Sequence, residues 1–158
     1  MDQFTWLMDQ AQVELESSNQ GNVNIDSDLD LVGPNFYSIH PKQDSLQFRA
    51  GKALFNLKEK TLFCSETEFL DIGDARIYPD SAKLIIRKNA KLEPLENSII
   101  ISNYVTKYHK IINATTKIEA RRAYSSIGDY AYYDVDSTLY LIPLTEIGLD
   151  NSYQTKAK

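Results

Sequence analysis

From Phe36 onward the chain alternates apolar and polar positions with a period of two. LQFRA places Leu46, Phe48 and Ala50 on one side, and ALFNL places Ala53, Phe55 and Leu57 likewise; TLFC, ARIY, KLIIRK, SIIIS, KIINATTKIEA and STLYLIPL continue the pattern. Successive side chains of a strand point to opposite faces, so each run predicts a strand with one buried face. The residues are those that fit a pleated surface: Ile, Leu, Tyr, Phe and Thr. Between the runs stand NLKEKT, DIGD, YPDSA, EPLEN and DVDS, which carry turn chemistry, and Pro79 and Pro94 fall in these breaks. No segment after residue 36 has a helical period. The prediction is an all-β domain over 36–158, built as a β-sandwich, jelly roll or strand stack. Its expected core is Leu46, Phe48, Phe55, Leu57, Leu62, Ile77, Leu84, Ile86, Leu92, Ile100, Ile112, Ile118, Leu139 and Leu141.

Residues 1–35 are expected to form an N-terminal extension, joined to the same fold or separate from it. Phe4, Leu7, Met8, Ala11 and Leu15 recur at helical spacing, whereas Gln12 to Glu16 alternates. A short helix or turn followed by a strand is predicted, giving a helical or irregular N-terminal piece. Residues 17–35 are rich in Ser, Asn, Asp and Gly and read as turn, short strand or loop. ALFNLKEKTLF (53–63) and ARIYPDSAKLI (75–85) share a frame, as two stacked hairpins would or as two unrelated ones do by chance.

Composition narrows the function more than the fold. The chain has 158 residues and a formal net charge of -5, which argues against nucleic acid as a partner. Its one cysteine, Cys64, excludes an internal disulfide framework and is read as a buried, inert thiol. No apolar run spans a membrane, and the start, MDQFTWLMDQ, is not a signal peptide. The end, SYQTKAK, reads as a cut, and a mature or trimmed piece of an exported protein stays open.

Candidate chemistry is sparse. His40 lies in the loop SIHPKQDS and His109 in KYHKII, and no G-x-S-x-G elbow supplies a nucleophile for either. Asp26, Asp28 and Asp30 begin like a calcium loop, but Leu31 stands where glycine is required and Tyr37 where the bidentate glutamate belongs. A solvated edge strand is the preferred reading of these three carboxylates. No zinc spacing and no phosphate cradle occurs. No catalytic residue, metal or cofactor is therefore expected, and a hydrolase with a carboxylate pair stays open only as a minor alternative.

RRAYSSIGDYAYYDVD (121–136) is the densest polar-aromatic stretch. Read as extended, it puts Tyr124, Ser126, Gly128, Tyr130 and Tyr132 on one face, and Ser125, Ile127, Asp129, Ala131, Tyr133 and Val135 on the other. Arg122, Tyr130 and Tyr132 are the predicted ligand-contact strip, suited to sugar rings or acyl chains. Gly128 predicts a bulge or a close approach of backbone.

KYHKIINATTKIEARRAYSSIGDYAYYDVD, with FTWLMDQAQVELE, DSLQFRAGKALFNLKEKTL and IGDARIYPDSAKLIIRKNAKLEPLENSII, resembles a segment of large, uncharacterised exported envelope proteins of Bacteroidetes-type bacteria. The strand–turn–strand rhythm is also similar to the OstA/LptA β-jellyroll that handles lipopolysaccharide. The first resemblance carries no established activity and implies a domain cut from a longer envelope protein; the reading adopted is a non-catalytic structural or binding module, periplasmic or cell-surface, with neighbouring domains of its parent and a glycan or lipid as expected partners. The second implies a lipid or glycan carrier. The first also implies O-glycosylation at Asp-Ser motifs, with Ser45, Ser81 and Ser137 as candidates. Asn113-Ala114-Thr115 fits the N-glycosylation pattern but falls mid-strand.

Overall fold

The structure, a computed structural model, describes residues 3–16 and 35–158; Asp26, Asp28 and Asp30 lie outside the described residues. At the N-terminus the expected turn and the strand over Gln12–Glu16 form, and the helical alternative does not. β1 (Gln3–Leu7) and β2 (Gln12–Glu16) make an antiparallel hairpin around a 3-10 turn over Met8–Gln10. The helical spacing of Phe4, Met8 and Ala11 was not a buried face: Phe4, Trp6 and Met8 are all exposed. The remaining strands, in chain order, are β3 (Asn35–Tyr37), β4 (Gln47–Arg49), β5 (Lys52–Asn56), β6 (Thr61–Ser65), β7 (Leu70–Ile72), β8 (Ala75–Tyr78), β9 (Leu84–Arg87), β10 (Lys91–Leu92), β11 (Leu95–Ser102), β12 (His109–Ala120), β13 (Ala123–Tyr133), β14 (Leu139–Leu149) and β15 (Thr155–Ala157).

The fold is all-β. One sheet has the order β1-β2-β5-β6-β9-β10 and the other β15-β14-β13-β12-β11-β8-β7, with β3-β4 as a separate hairpin. Both sheets are antiparallel and curl into a sandwich-like half-barrel. The core between them holds Ala53, Cys64 and Leu84 from the first sheet, and Leu70, Ile72, Ile77, Ile100, Ile111, Ile118, Tyr124 and Ile147 from the second. Leu46 and Phe48 join it from the β3–β4 region, where Phe36 stacks on Phe48 with ring centroids 5.2 Å apart. Burial pushes the Cys64 thiol pKa up to about 12, so the sulfur is an inert core group.

Several expected core positions sit elsewhere. Leu57, Leu139 and Leu141 are exposed, and Ile112 is only half-buried while Ile111 is inside. The cause lies in β12. Asn113 adopts φ 53°, and the pairing jumps from Ile112↔Asp129 to Thr115↔Ile127, so two β12 residues face one on β13. This bulge resets the alternation: Ile111, Ala114, Thr116 and Ile118 face in, which a strict period of two cannot deliver. The shared frame of 53–63 and 75–85 is no structural repeat. The first block is the β5–β6 hairpin, whereas the second runs from β8 in one sheet to β9 in the other.

Gly128 lies opposite the β12 bulge and beside a second irregularity in β14, where Ser126↔Ile147 is followed by Gly128↔Leu144. A Cβ there would stand 3.0 Å from both Cα and Cβ of Ala114 and 3.1 Å from Cγ2 of Ile111. The absent side chain lets β12 and β13 meet as the sheet bends. Behind the bend, three buried hydroxyls bridge three strands: Ser98 Oγ to Thr116 Oγ1 at 2.8 Å, and Thr116 Oγ1 to Ser126 Oγ at 2.9 Å. Ser98 donates to the Ala114 carbonyl (2.9 Å) and Ser126 to that of Thr115 (3.0 Å), which leaves the single Thr116 proton to one serine at a time.

Candidate functional site

A depression lies where the β7–β8, β12–β13 and β14–β15 turns come together. Register places Ala75, Ser102 and His109 side by side at one end of the second sheet, and Ala120 at the other end of β12. The curl nevertheless brings the β7–β8 turn against the β12–β13 turn: Gly73 N donates to Arg121 O at 3.0 Å. Gly73 has φ +61°, and a Cβ on it would strike Leu149 Cδ1 at 2.5 Å, so the contact requires glycine twice over. Asp74 fastens β15 to the same seam by accepting from Thr155 N (2.8 Å) and Thr155 Oγ1 (2.6 Å). Tyr124 OH lies 3.0 Å from Thr155 Oγ1 beneath it. Burial raises the Tyr124 pKa to about 12.

Over this seam opens a groove of about 610 Å³. The β12–β13 turn contributes Arg121 and Arg122, and the β14–β15 turn contributes Tyr153 and Gln154. The loop after β11 brings Tyr104, β3 and β4 bring Asn35, Gln47 and Arg49, and Phe69 precedes β7. Arg76 stands between two of the aromatic rings, its guanidinium carbon 3.7 Å from the Phe69 centroid and 4.6 Å from that of Tyr104. It holds Asp71 by two bonds, Nε to Oδ1 at 2.8 Å and Nη2 to Oδ2 at 3.1 Å, and that carboxylate raises the Arg76 pKa. Arg122 lies over the Tyr153 ring at 4.9 Å and 3.6 Å from Asp44. The groove is thus lined by three aromatic rings, each with a guanidinium over one face, together with amide side chains. These suit a polar ligand with flat apolar faces, as sugars have.

The structure divides the predicted contact strip. Tyr130 and Tyr132 do share a face, and Tyr140 and Ile142 join them through the pairs Tyr130↔Ile142 and Tyr132↔Tyr140. Tyr130 OH lies 3.0 Å from His109 Nδ1, and the rings of Tyr132 and Tyr140 are 6.5 Å apart. This face is the inner one: Tyr124 and Ser126 are buried on it, while Tyr132, Tyr140 and Ile142 run past the covered core into the open. Arg122 is not part of the strip. It sits at the opposite end of β13, about 26 Å along the strand from Tyr130 at 3.3 Å per residue, and belongs to the groove.

The other candidates are scattered. Ser45 Oγ accepts from Tyr37 OH at 2.8 Å and is half-buried, whereas Ser81 and Ser137 are exposed in turns. Asn113 is exposed on the bulge and its Nδ2 donates to Asp129 Oδ2 at 2.9 Å. His40 Nδ1 accepts from Lys42 N at 3.3 Å, which caps a 3-10 turn. Among the described residues no cluster of His, Cys, Asp and Glu is placed to hold a metal ion, and no helix is long and apolar enough to cross a membrane. Sequence reading passed over Arg121, Phe69, Tyr104 and Tyr153; the Arg121-Arg122 pair was the one signal for them. No protein-family profile matches the chain, and neither the curated proteins nor the solved structures give a match to it.

Proposed function

We propose that the chain is a non-catalytic binding module of a larger, exported bacterial envelope protein, periplasmic or at the cell surface, and that it holds a glycan in the seam groove. The observation that carries this reading is the grouping of Phe69, Tyr104 and Tyr153 with Asn35, Gln47 and Gln154 around one depression. Ring faces pack on the C–H faces of sugars, and amides pair with their hydroxyls. Both oxygens of Asp71 are engaged by Arg76, and Asp74 is engaged by Thr155, which assigns these carboxylates to building the groove. The test is native affinity electrophoresis of the purified chain in gels containing soluble polysaccharides. Retardation is expected in at least one, weakened about three- to tenfold by Tyr153→Ala and by Tyr104→Ala. No retardation by any polysaccharide, or retardation indifferent to both substitutions, sinks the reading. Release of reducing ends from the polysaccharide would make the protein an enzyme instead.

A carrier of OstA/LptA-like type is the second reading, favoured by the Tyr130, Tyr132, Tyr140 and Ile142 strip on the inner face of the half-barrel. Here cis-parinaric acid should gain fluorescence on binding, and Tyr130→Ser with Tyr132→Ser should abolish the gain while unfolding stays cooperative. An unchanged signal rejects the carrier, and collapse of the fold makes the two rings structural.

A further inference from the structure

We infer that the ligand of the groove is an anionic saccharide whose carboxylate, sulfate or phosphate group is read by the Arg121–Arg122 turn, an inference that rests on the glycan reading above. Among the described residues, Arg49, Arg121 and Arg122 line the groove with Asp71 and Asp74, while Arg76 pairs with Asp71 and Asp44 with Arg122. The carboxylates are also the engaged partners. Asp71 is held by both nitrogens of Arg76, and Asp74 accepts two bonds from Thr155.

The two turn arginines are placed differently. The Arg121 backbone is clamped from both sides, its N–H donating to Gln43 O at 3.1 Å and its carbonyl accepting from Gly73 N at 3.0 Å. Gln43, the partner on one side, is itself buried. The turn that carries both arginines is thereby fixed, with Ala120 and Ala123 paired at its base, and both residues line the groove. The Arg121 side chain forms no ion pair among the described residues, and Arg122 forms only the 3.6 Å pair with Asp44, both partners being about half exposed. Pairs so exposed are weak, and an incoming anion displaces them. Arginine suits the task because its planar fork meets carboxylate, sulfate or phosphate with two parallel hydrogen bonds and stacks on rings at the same time. Arg122 already covers one face of Tyr153, so an anion that meets its fork lies at the edge of that ring. Neutral glycans lack the group that would replace Asp44.

The experiment compares dextran, dextran sulfate, polygalacturonate and methyl-esterified polygalacturonate as ligands of the full chain. It uses wild type, Arg121→Gln with Arg122→Gln, and a control, Lys58→Gln with Lys60→Gln, on the exposed β5–β6 turn. Wild type should bind polygalacturonate, dextran sulfate or both at least tenfold more tightly than their uncharged counterparts, and raising the salt should weaken that binding. The arginine variant should lose about tenfold or more, and the lysine control should lose nothing. Preference for polygalacturonate assigns the carboxylate, and preference for dextran sulfate assigns the sulfate or phosphate ester. Equal binding of charged and neutral polymers, untouched by the arginine variant, overturns the anionic assignment while leaving a glycan groove. Equal loss in the lysine control overturns it in favour of diffuse charge. Binding to none of the four, with binding to another neutral glycan, also overturns it; binding to no polysaccharide at all removes the glycan reading with it.

Discussion

Two threonines, Thr67 and Thr116, are both fully inaccessible (0%), yet the same substitution should move stability in opposite directions. Thr116 Oγ1 is the middle rung of the hydroxyl ladder, 2.8 Å from Ser98 Oγ and 2.9 Å from Ser126 Oγ. Thr116→Val replaces the hydroxyl by a methyl of similar size, so no cavity opens. Ser98 and Ser126 each keep a carbonyl acceptor. The loss is then that of one net hydrogen bond with partial rescue, about 1 kcal/mol, rather than the ~2–3 kcal/mol of two stranded hydroxyls. Thr67 Oγ1 has no hydrogen-bond partner among the described residues. Its hydroxyl gains nothing for being buried, and Thr67→Val removes that desolvation at unchanged shape, a gain of about 1 kcal/mol. For a domain of this size each kcal/mol shifts the melting temperature by roughly 2–4 °C. Urea unfolding of wild type, both single variants and the double variant measures the difference, with the m-value as the check that compactness is unchanged. The reasoning fails if Thr67→Val destabilises as much as Thr116→Val, because partner count would then not govern the sign. A loss above about 3 kcal/mol at Thr116 would mean the ladder acts as a cooperative unit that the carbonyls cannot rescue.

Gly128→Ala should lower stability by about 1–2 kcal/mol: overpacking costs roughly 1–3 kcal/mol, offset by the ~0.5–1 kcal/mol that alanine gains over glycine in the unfolded chain. Two of the atoms its Cβ meets belong to Ala114, one of them backbone; the double variant with Ala114→Gly should recover part of the loss in denaturant titrations, and full additivity would refute the contact. The raised pKa of the Cys64 thiol, about 12, means that the folded state holds this proton more tightly than the unfolded state. Its contribution is fully present below the ordinary thiol pKa near 9 and falls as pH rises from there towards 12, by at most about 1.4 kcal/mol per pH unit. Tyr124 adds a parallel loss between about 10 and 12. Urea midpoints measured from pH 8 to 11 should therefore fall less steeply in Cys64→Ala than in wild type, and identical slopes would exclude Cys64 as a source.

The strands were legible because alternation and turn chemistry agree over most of the chain. Three places defeated them for physical reasons. Phe4 and Met8 mimic a helix stripe, but a period carries no information about which residues are covered, and these lie on an exposed hairpin. Ile112 loses its place to Ile111 because one left-handed residue, Asn113, shifts the phase of everything before it relative to Ile118. Arg122 and Tyr130 share a stretch and, by parity, a face, yet the strand that joins them also separates them by most of its length. The groove was the least legible feature, since its lining comes from turns and strands between Asn35 and Gln154 that meet only once the sheet has curled.

That curl has a consequence for how binding is detected. The bonds from Thr155 to Asp74 join residues 81 positions apart, so the groove exists only after a strongly non-local closure of the chain. A partly folded molecule has no such groove. Any compound that occupies it therefore stabilises the native state alone, by RT ln(1 + [L]/Kd), about 2.7 kcal/mol at a hundredfold excess over Kd. The protein is in this sense its own reporter: a ligand of the seam raises its melting temperature whatever that ligand's chemistry.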